Sequence, residues 1–209
     1  MRRMEAPSCL AYVFWHWIQA DADVAAYEDA LRAFQQTLLD NAPPGYRRAA
    51  VFRHGPAPWL PDPGMHYVDW YLTDGSAALD PLNDGAVSAT CRAAHDAAAG
   101  RAAGGTAGLY QLRQGAVRAS EVCCATWFSK PEGMTYGALD EDLAARMQGV
   151  RSELWSRRMT LGPTPEMCVL ATTAVELPAA YQAFSVAMEP VWPGARNTVE
   201  QGDLEDALQ

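Results

Sequence analysis

Two residues able to handle a proton interrupt otherwise apolar runs: His16 in "AYVFWHWI" (11–18) and Asp69 in "MHYVDWYL" (65–72). A carboxylate beside an imidazole favours its protonated form and fixes its tautomer. Such a pair can take a proton from a small substrate. If both runs are strands, side chains alternate between faces. Tyr12 and Phe14 then share a face with His16, and Tyr67 and Tyr71 share one with Asp69. Arg53, at the end of "RRAAVFRH" (47–54), could hold an anionic group of a ligand. The candidate site is therefore His16 and Asp69 as acid/base pair, with Tyr12, Phe14, Arg53, Tyr67 and Tyr71 around the ligand. The same residues also read as a satisfied buried polar pair on a packed strand.

Other chemistries find less support. His54, Asp62, His66 and Asp69 bracket a Pro/Gly loop at 55–64, but their spacing matches no compact metal site, and no metal is expected. The five cysteines are odd in number and form no CxxC, so they read as small buried hydrophobes. No GxSxG nucleophile elbow occurs. "AAGGTAG" (102–108) lacks the lysine of a phosphate loop and reads as a flexible helix-to-strand turn. Trp15, Trp17, Trp70 and Trp127 are core candidates, and Trp59 is a lid or packing anchor.

The elements that must position these residues follow from periodicity and breakers. A strand over 8–18 leads into a helix capped by Asp21 or Asp23, with apolar residues at Val24, Tyr27, Leu31, Phe34 and Leu38. Pro43-Pro44-Gly45 stops it near Asn41. Strands follow at 47–54 and 65–72, separated by a loop with four prolines. A second helix starts near Asp80-Pro81, runs through the alanine-rich stretch and frays at 100–105, before a fourth strand at 108–114. The order is β-α-β-β-α-β, a split βαβ or ferredoxin-like unit.

The second half repeats this programme. "EVCCATWFS" (121–129) echoes the first strand, and a helix pattern runs through Leu139, Leu143, Met147, Val150 and Leu154. "EMCVLATTA" (166–174), a short helix at 178–184 and a strand at 186–191 complete it. The domains are thus a first repeat over 8–115, a second over 120–193, and an acidic tail over 194–209 whose polar composition predicts disorder.

Composition bounds the partners. A net charge of -9, with basic residues only in scattered doublets, argues against nucleic acid. No apolar run reaches the roughly 18 residues of a membrane span, and no signal-like stretch follows Met1. A soluble, cytoplasmic protein is expected, with a small-molecule ligand and self-association as the partners its composition allows.

A four-stranded split βαβ sheet carries helices on one face and needs cover on the other, which a second copy supplies. In this pattern residues 8–193 resemble the dimeric α/β-barrel superfamily, and within it the members with two fused ferredoxin-like repeats. The resemblance implies an α+β fold of two fused ferredoxin-like (βαββαβ) repeats whose sheets face each other, a pseudo-dimeric α/β barrel. The superfamily spans cofactor-free monooxygenases, muconolactone isomerase-like enzymes, haem-dependent peroxidases and chlorite-dismutating enzymes, so fold alone selects no reaction. In the fused haem-binding members the axial histidine comes from the second repeat. Here all four histidines precede residue 96, which argues against haem, and no cofactor is expected.

In such a unit the first and third strands are expected as parallel central neighbours. Val68, Trp70 and Leu72 form the more uniformly apolar face and are assigned to the helices. Tyr67, Asp69 and Tyr71, with Tyr12, Phe14 and His16, are assigned to the space between the sheets. The expected role is binding of a small, partly apolar molecule in an inter-sheet cavity, with cofactor-independent acid/base chemistry at His16 and Asp69 as an added capability. The alternative is a non-enzymatic structural or interaction protein that uses its sheet faces for assembly. A cavity lined by these side chains favours the first, and an interface filled by them favours the second.

Overall fold

Alternating apolar residues along eight short runs build a closed barrel. A computed structural model of the chain describes residues 9–61, 65–160 and 163–193. The strands are β1 (Leu10–Ile18), β2 (Tyr46–His54), β3 (His66–Thr73), β4 (Ala102–Gly115), β5 (Cys124–Phe128), β6 (Ser152–Thr160), β7 (Met167–Ala171) and β8 (Phe184–Trp192). The helices are α1 (Val24–Asp40), α2 (Leu79–Ala86), α3 (Arg92–Ala99) and α4 (Tyr136–Arg146). The barrel order is β1-β3-β2-β8-β5-β7-β6-β4, closing on β1. Each repeat contributes the ferredoxin-like order, β4-β1-β3-β2 and β8-β5-β7-β6, and the pairs β2–β8 and β4–β6 join them. The fold is the α+β pseudo-dimeric barrel that the element order implies. The acidic tail lies outside the described residues, as do Asp62 and Gly162.

The first and third strands are neighbours but antiparallel, Phe14 opposite Asp69 and His16 opposite Tyr67, which corrects the parallel arrangement expected. Helix α1 returns the chain so that β2 runs with β1. The β2–β3 connection then reverses direction, and β3 inserts between them opposed to both.

The faces are also the reverse of those expected. Val13, Trp15, Phe52, Val68, Trp70 and Leu72 join Tyr110, Trp127, Trp155 and Leu170 in one cluster inside the barrel. Tyr67 and Tyr71 instead pack with Tyr27, Leu31, Phe34 and Leu38 of α1, outside it. The barrel interior is the space fully removed from water on all sides, so it takes the most uniformly apolar face of each strand. The helix layer is the one that tolerates polar groups, because α1 supplies partners for them. Trp59, in the loop after β2, meets Trp15, Trp127 and Phe184 edge-on and anchors the barrel end.

Asp23 caps α1, its Oδ1 accepting from the N–H groups of Ala25 (2.8 Å) and Ala26 (3.1 Å). The second helix of the first repeat is broken into α2 and α3, with residues 87–91 between them. The "AAGGTAG" stretch is strand β4 and not a turn. Its glycines serve packing: a Cβ on Gly104 would lie 2.6 Å from the Trp17 ring, and one on Gly105 would overlap Phe14. In the second repeat α4 ends at Arg146, Leu154 belongs to β6, and the short helix expected at 178–184 is a single 3-10 turn, Ala179–Tyr181. Cys9, Cys91, Cys124 and Cys168 are buried, whereas Cys123 is exposed.

Candidate functional site

His16 and Asp69 meet. His16 Nε2 lies 2.9 Å from Asp69 Oδ1, and the two residues are 2% and 3% exposed. They are diagonal neighbours across the β1–β3 ladder, since Asp69 stands opposite Phe14, two residues before His16. Helix α1 completes the arrangement. Tyr27 Oη is 2.5 Å from His16 Nδ1. Asp69 Oδ2 accepts from Tyr71 O–H at 2.7 Å and from Gln35 Nε2–H at 3.3 Å, and Gln35 also donates to Tyr71 Oη at 2.9 Å. With Nε2–H donated to the carboxylate, His16 Nδ1 accepts the Tyr27 proton. Two rings lie nearly parallel to the imidazole: Phe14 at 5.3 Å and 20°, and Tyr67 at 5.5 Å and 10°.

Burial and the Asp69 charge push the Tyr27 phenol far above its ordinary range, and the same two causes, in the same order, raise Tyr71. Both therefore remain phenols, available as hydrogen-bond donors.

Over this network lies a cavity of about 800 Å³, within the range of small-molecule sites. It lies between the outer face of the first-repeat sheet and helices α1, α2 and α3. It does not lie between the sheets, where an inter-sheet cavity was expected; that space is taken by the tryptophans. Tyr12, Phe14, His16, Asp69 and Tyr71 line it with Tyr27. Its far wall is made by Leu82 and Asn83 of α2 and His95 of α3, and a strip of small residues on β4, from Ala102 to Gly108, leaves it open. No Lys or Arg is among the lining residues, while Asp69 and Asp80 are.

Two of the expected ligand-binding residues fall outside this lining. Arg53 is held on the surface by Glu28, at 3.0 Å from Nη1, and by Glu189, so it offers no anion anchor to the cavity. Tyr67 backs His16 from behind, its hydroxyl 3.4 Å from Glu28 Oε1; burial first, then Glu28, pushes its phenol up to about 12.

Tyr27 and Gln35 carry no role in the sequence reading. Their signal was present: Tyr27, Leu31 and Gln35 recur every four residues on one helix face. An amide at a core position of an amphipathic helix calls for a buried partner. His54 and His66 are stacked at the barrel end, pinned to Gly55 O (2.7 Å) and Pro61 O (2.9 Å). Asp69 faces the other side of the wall, and no cluster of three or more potential metal ligands occurs among the described residues.

Among the described residues, imidazoles beside a ligand-sized space occur only in the first repeat, where His16 and His95 line the cavity. The helix-side space of the second repeat is filled by Phe128, Leu139, Leu143, Met167 and Val169, with no imidazole. In the first repeat both nitrogens of His16 are engaged. No helix among the described residues is long and apolar enough to cross a membrane.

No family model and no curated protein matches the chain. Solved structures do. A candidate monooxygenase from Fusobacterium nucleatum aligns with a TM-score of 0.58 at 6% identity, covering 90% of this chain and 94% of that one. A candidate monooxygenase from Lactobacillus acidophilus gives 0.53 at 8%, covering 88% and 94%. A candidate chlorite dismutase gives 0.50 at 10%, covering 98% and 100%. At these identities the likeness is one of fold: along nearly its whole length the chain shares the architecture of these three proteins.

Proposed function

We propose that the chain binds a small, uncharged, partly apolar molecule in the cavity between the first-repeat sheet and its helices. There the His16–Asp69 pair moves a proton to or from the bound molecule without a cofactor. One observation carries this reading: a buried imidazole–carboxylate pair at 2.9 Å forms the floor of an 800 Å³ cavity. A pair kept only for packing needs no such space beside it. The lining supports the choice of ligand. Aromatic and aliphatic walls favour a flat apolar body, and two carboxylates with no Lys or Arg disfavour a ligand that enters as an anion. An ionisable C–H or O–H on the ligand gives the pair something to act on. The alternative, sheet faces used for assembly, is weakened because the barrel interior is filled by the opposite set of side chains.

The neighbours named as candidate monooxygenases are compatible with small-molecule chemistry on this fold, and the proposal rests on the site. Tyrosine and tryptophan fluorescence titrations with matched pairs of aromatic compounds, hydroxylated and carboxylated, test it. The hydroxylated members should bind and their carboxylated counterparts should bind at least tenfold more weakly. Equal binding of both, or of neither, would overturn the reading.

A further inference from the structure

We propose that Tyr27 is the residue that touches the substrate, relaying a proton from a substrate O–H to His16 Nδ1. The inference rests on the acid/base reading above and names the contact through which that chemistry reaches the cavity.

The geometry leaves His16 few ways to act directly. Its Nε2 is engaged by Asp69 at 2.9 Å and its Nδ1 by Tyr27 at 2.5 Å. Phe14 and Tyr67 pack nearly parallel to its ring. Neither nitrogen offers a free lone pair or proton to the cavity. Tyr27 lines the cavity beside His16, and a phenol oxygen that donates its proton to an imidazole keeps lone pairs with which to accept another. Burial holds Tyr27 protonated, so it conducts a proton and does not store a charge.

The step balances. The substrate O–H donates to Tyr27 Oη while the Tyr27 proton passes to His16 Nδ1. The substrate O–H bond and the Tyr27 O–H bond break; a new O–H bond forms on Tyr27 and an N–H bond on His16. The products are a substrate oxyanion hydrogen-bonded to a phenol, and an imidazolium whose charge Asp69 balances through Nε2–H. No electrons change hands and no co-reactant is needed. Tyr71 and Gln35 act as positioning residues, since their hydrogen bonds hold the second carboxylate oxygen of Asp69.

Para-nitrophenol, whose ionised form absorbs visibly, and para-nitroanisole, which cannot ionise, serve as probes. In the wild type the bound phenol should ionise about one pH unit lower than in water, a tenfold change in its ionised fraction at fixed pH. Tyr27→Phe should remove that shift while still binding para-nitroanisole, and a cooperative urea unfolding transition establishes that the variant folds. In the wild type itself, a His16 Nδ1–H resonance should appear with the phenolate absorbance. A shift that survives in Tyr27→Phe but is lost in His16→Asn would overturn the relay and leave the acid/base reading standing. Phenolate absorbance without the Nδ1–H resonance would also overturn the relay. No shift in the wild type would overturn both, and no para-nitroanisole binding would overturn the cavity reading beneath them.

Discussion

Trp15 of β1 and Trp127 of β5 hold equivalent places in the two repeats and pack against each other, ring centroids 5.4 Å apart and planes at 58°. Each is at most 2% exposed. Trp70 joins Trp127 at 6.0 Å and Trp155 at 5.3 Å. The two sheets therefore share one aromatic core and leave no inter-sheet space for a ligand. The consequence for function is positional. His16, adjacent to Trp15 in sequence, points the other way, into the layer under the helices of the first repeat where the proposed site lies.

Trp127→Ala should cost about 3–5 kcal/mol, the range for removing a fully buried large aromatic side chain. Because Trp127 of the second repeat packs against Trp15, Trp70 and Tyr110 of the first, urea unfolding followed by far-UV circular dichroism should shift as one transition. Two separated transitions would mean that the repeats hold independent cores.

Asp69→Asn should release His16. The carboxylate accepts from His16, Tyr71 and Gln35 at once, and an amide in its place must turn two N–H donors among groups that themselves donate. The wild type should show a slowly exchanging Nε2–H proton resonance for His16. The variant should lose it, together with about 1–3 kcal/mol of stability from unsatisfied buried donors. An unchanged resonance would mean that the imidazole is held by something other than Asp69.

The element order of the first repeat and the His16–Asp69 pairing were legible because each rests on local periodicity or on neighbouring strands. Strand β6 of the second repeat was missed because its Leu154 continued the spacing of the preceding helix. The choice of face was not legible either. Along β1 both faces are apolar or aromatic, and β3 is buried on both, from His66 to Thr73. Alternation alone cannot rank two such faces. The ranking came from a long-range fact, that Trp70 meets Trp127 and Trp155 from a repeat over fifty residues away in sequence. Arg53 was misplaced for a related reason. Its partners Glu28 and Glu189 lie on α1 and β8, and no spacing within β2 announces them. Gly104 and Gly105 of β4 imitated a turn because they lie against the Trp17 and Phe14 rings of β1, a constraint that belongs to the neighbouring strand.

Acid should loosen the barrel end. Burial, aided by the nearby His66, lowers His54 from 6.5 to about 4. The folded state thus binds fewer protons than the unfolded state between those values, and stability rises with pH across that window. The contribution is fully present above about pH 6.5 and is lost as pH falls toward about 4, up to about 3 kcal/mol in all. Urea midpoints measured from pH 7 to pH 4 should fall more steeply for the wild type than for His54→Phe. Parallel curves would show that His54 titrates normally.

The same substitution at two glycines should have opposite outcomes. Gly105 stands opposite His16 in the β1–β4 ladder, and a Cβ there would overlap the Phe14 ring and approach Trp15 O at 3.1 Å. Phe14 is the ring that flanks His16 at 5.3 Å, so Gly105→Ala must tilt it toward the cavity. The expected cost is about 1–3 kcal/mol from overpacking, with weaker binding of para-nitroanisole as the cavity narrows. At Gly55, by contrast, a Cβ would meet nothing within 4 Å and the backbone is not left-handed. Gly55→Ala should be neutral or stabilising by up to about 1 kcal/mol through the unfolded chain, with probe binding unchanged. Urea unfolding and fluorescence titration of both variants read the difference. Equal effects at the two positions would mean that Phe14 has room to move and that the glycine strip does not shape the cavity.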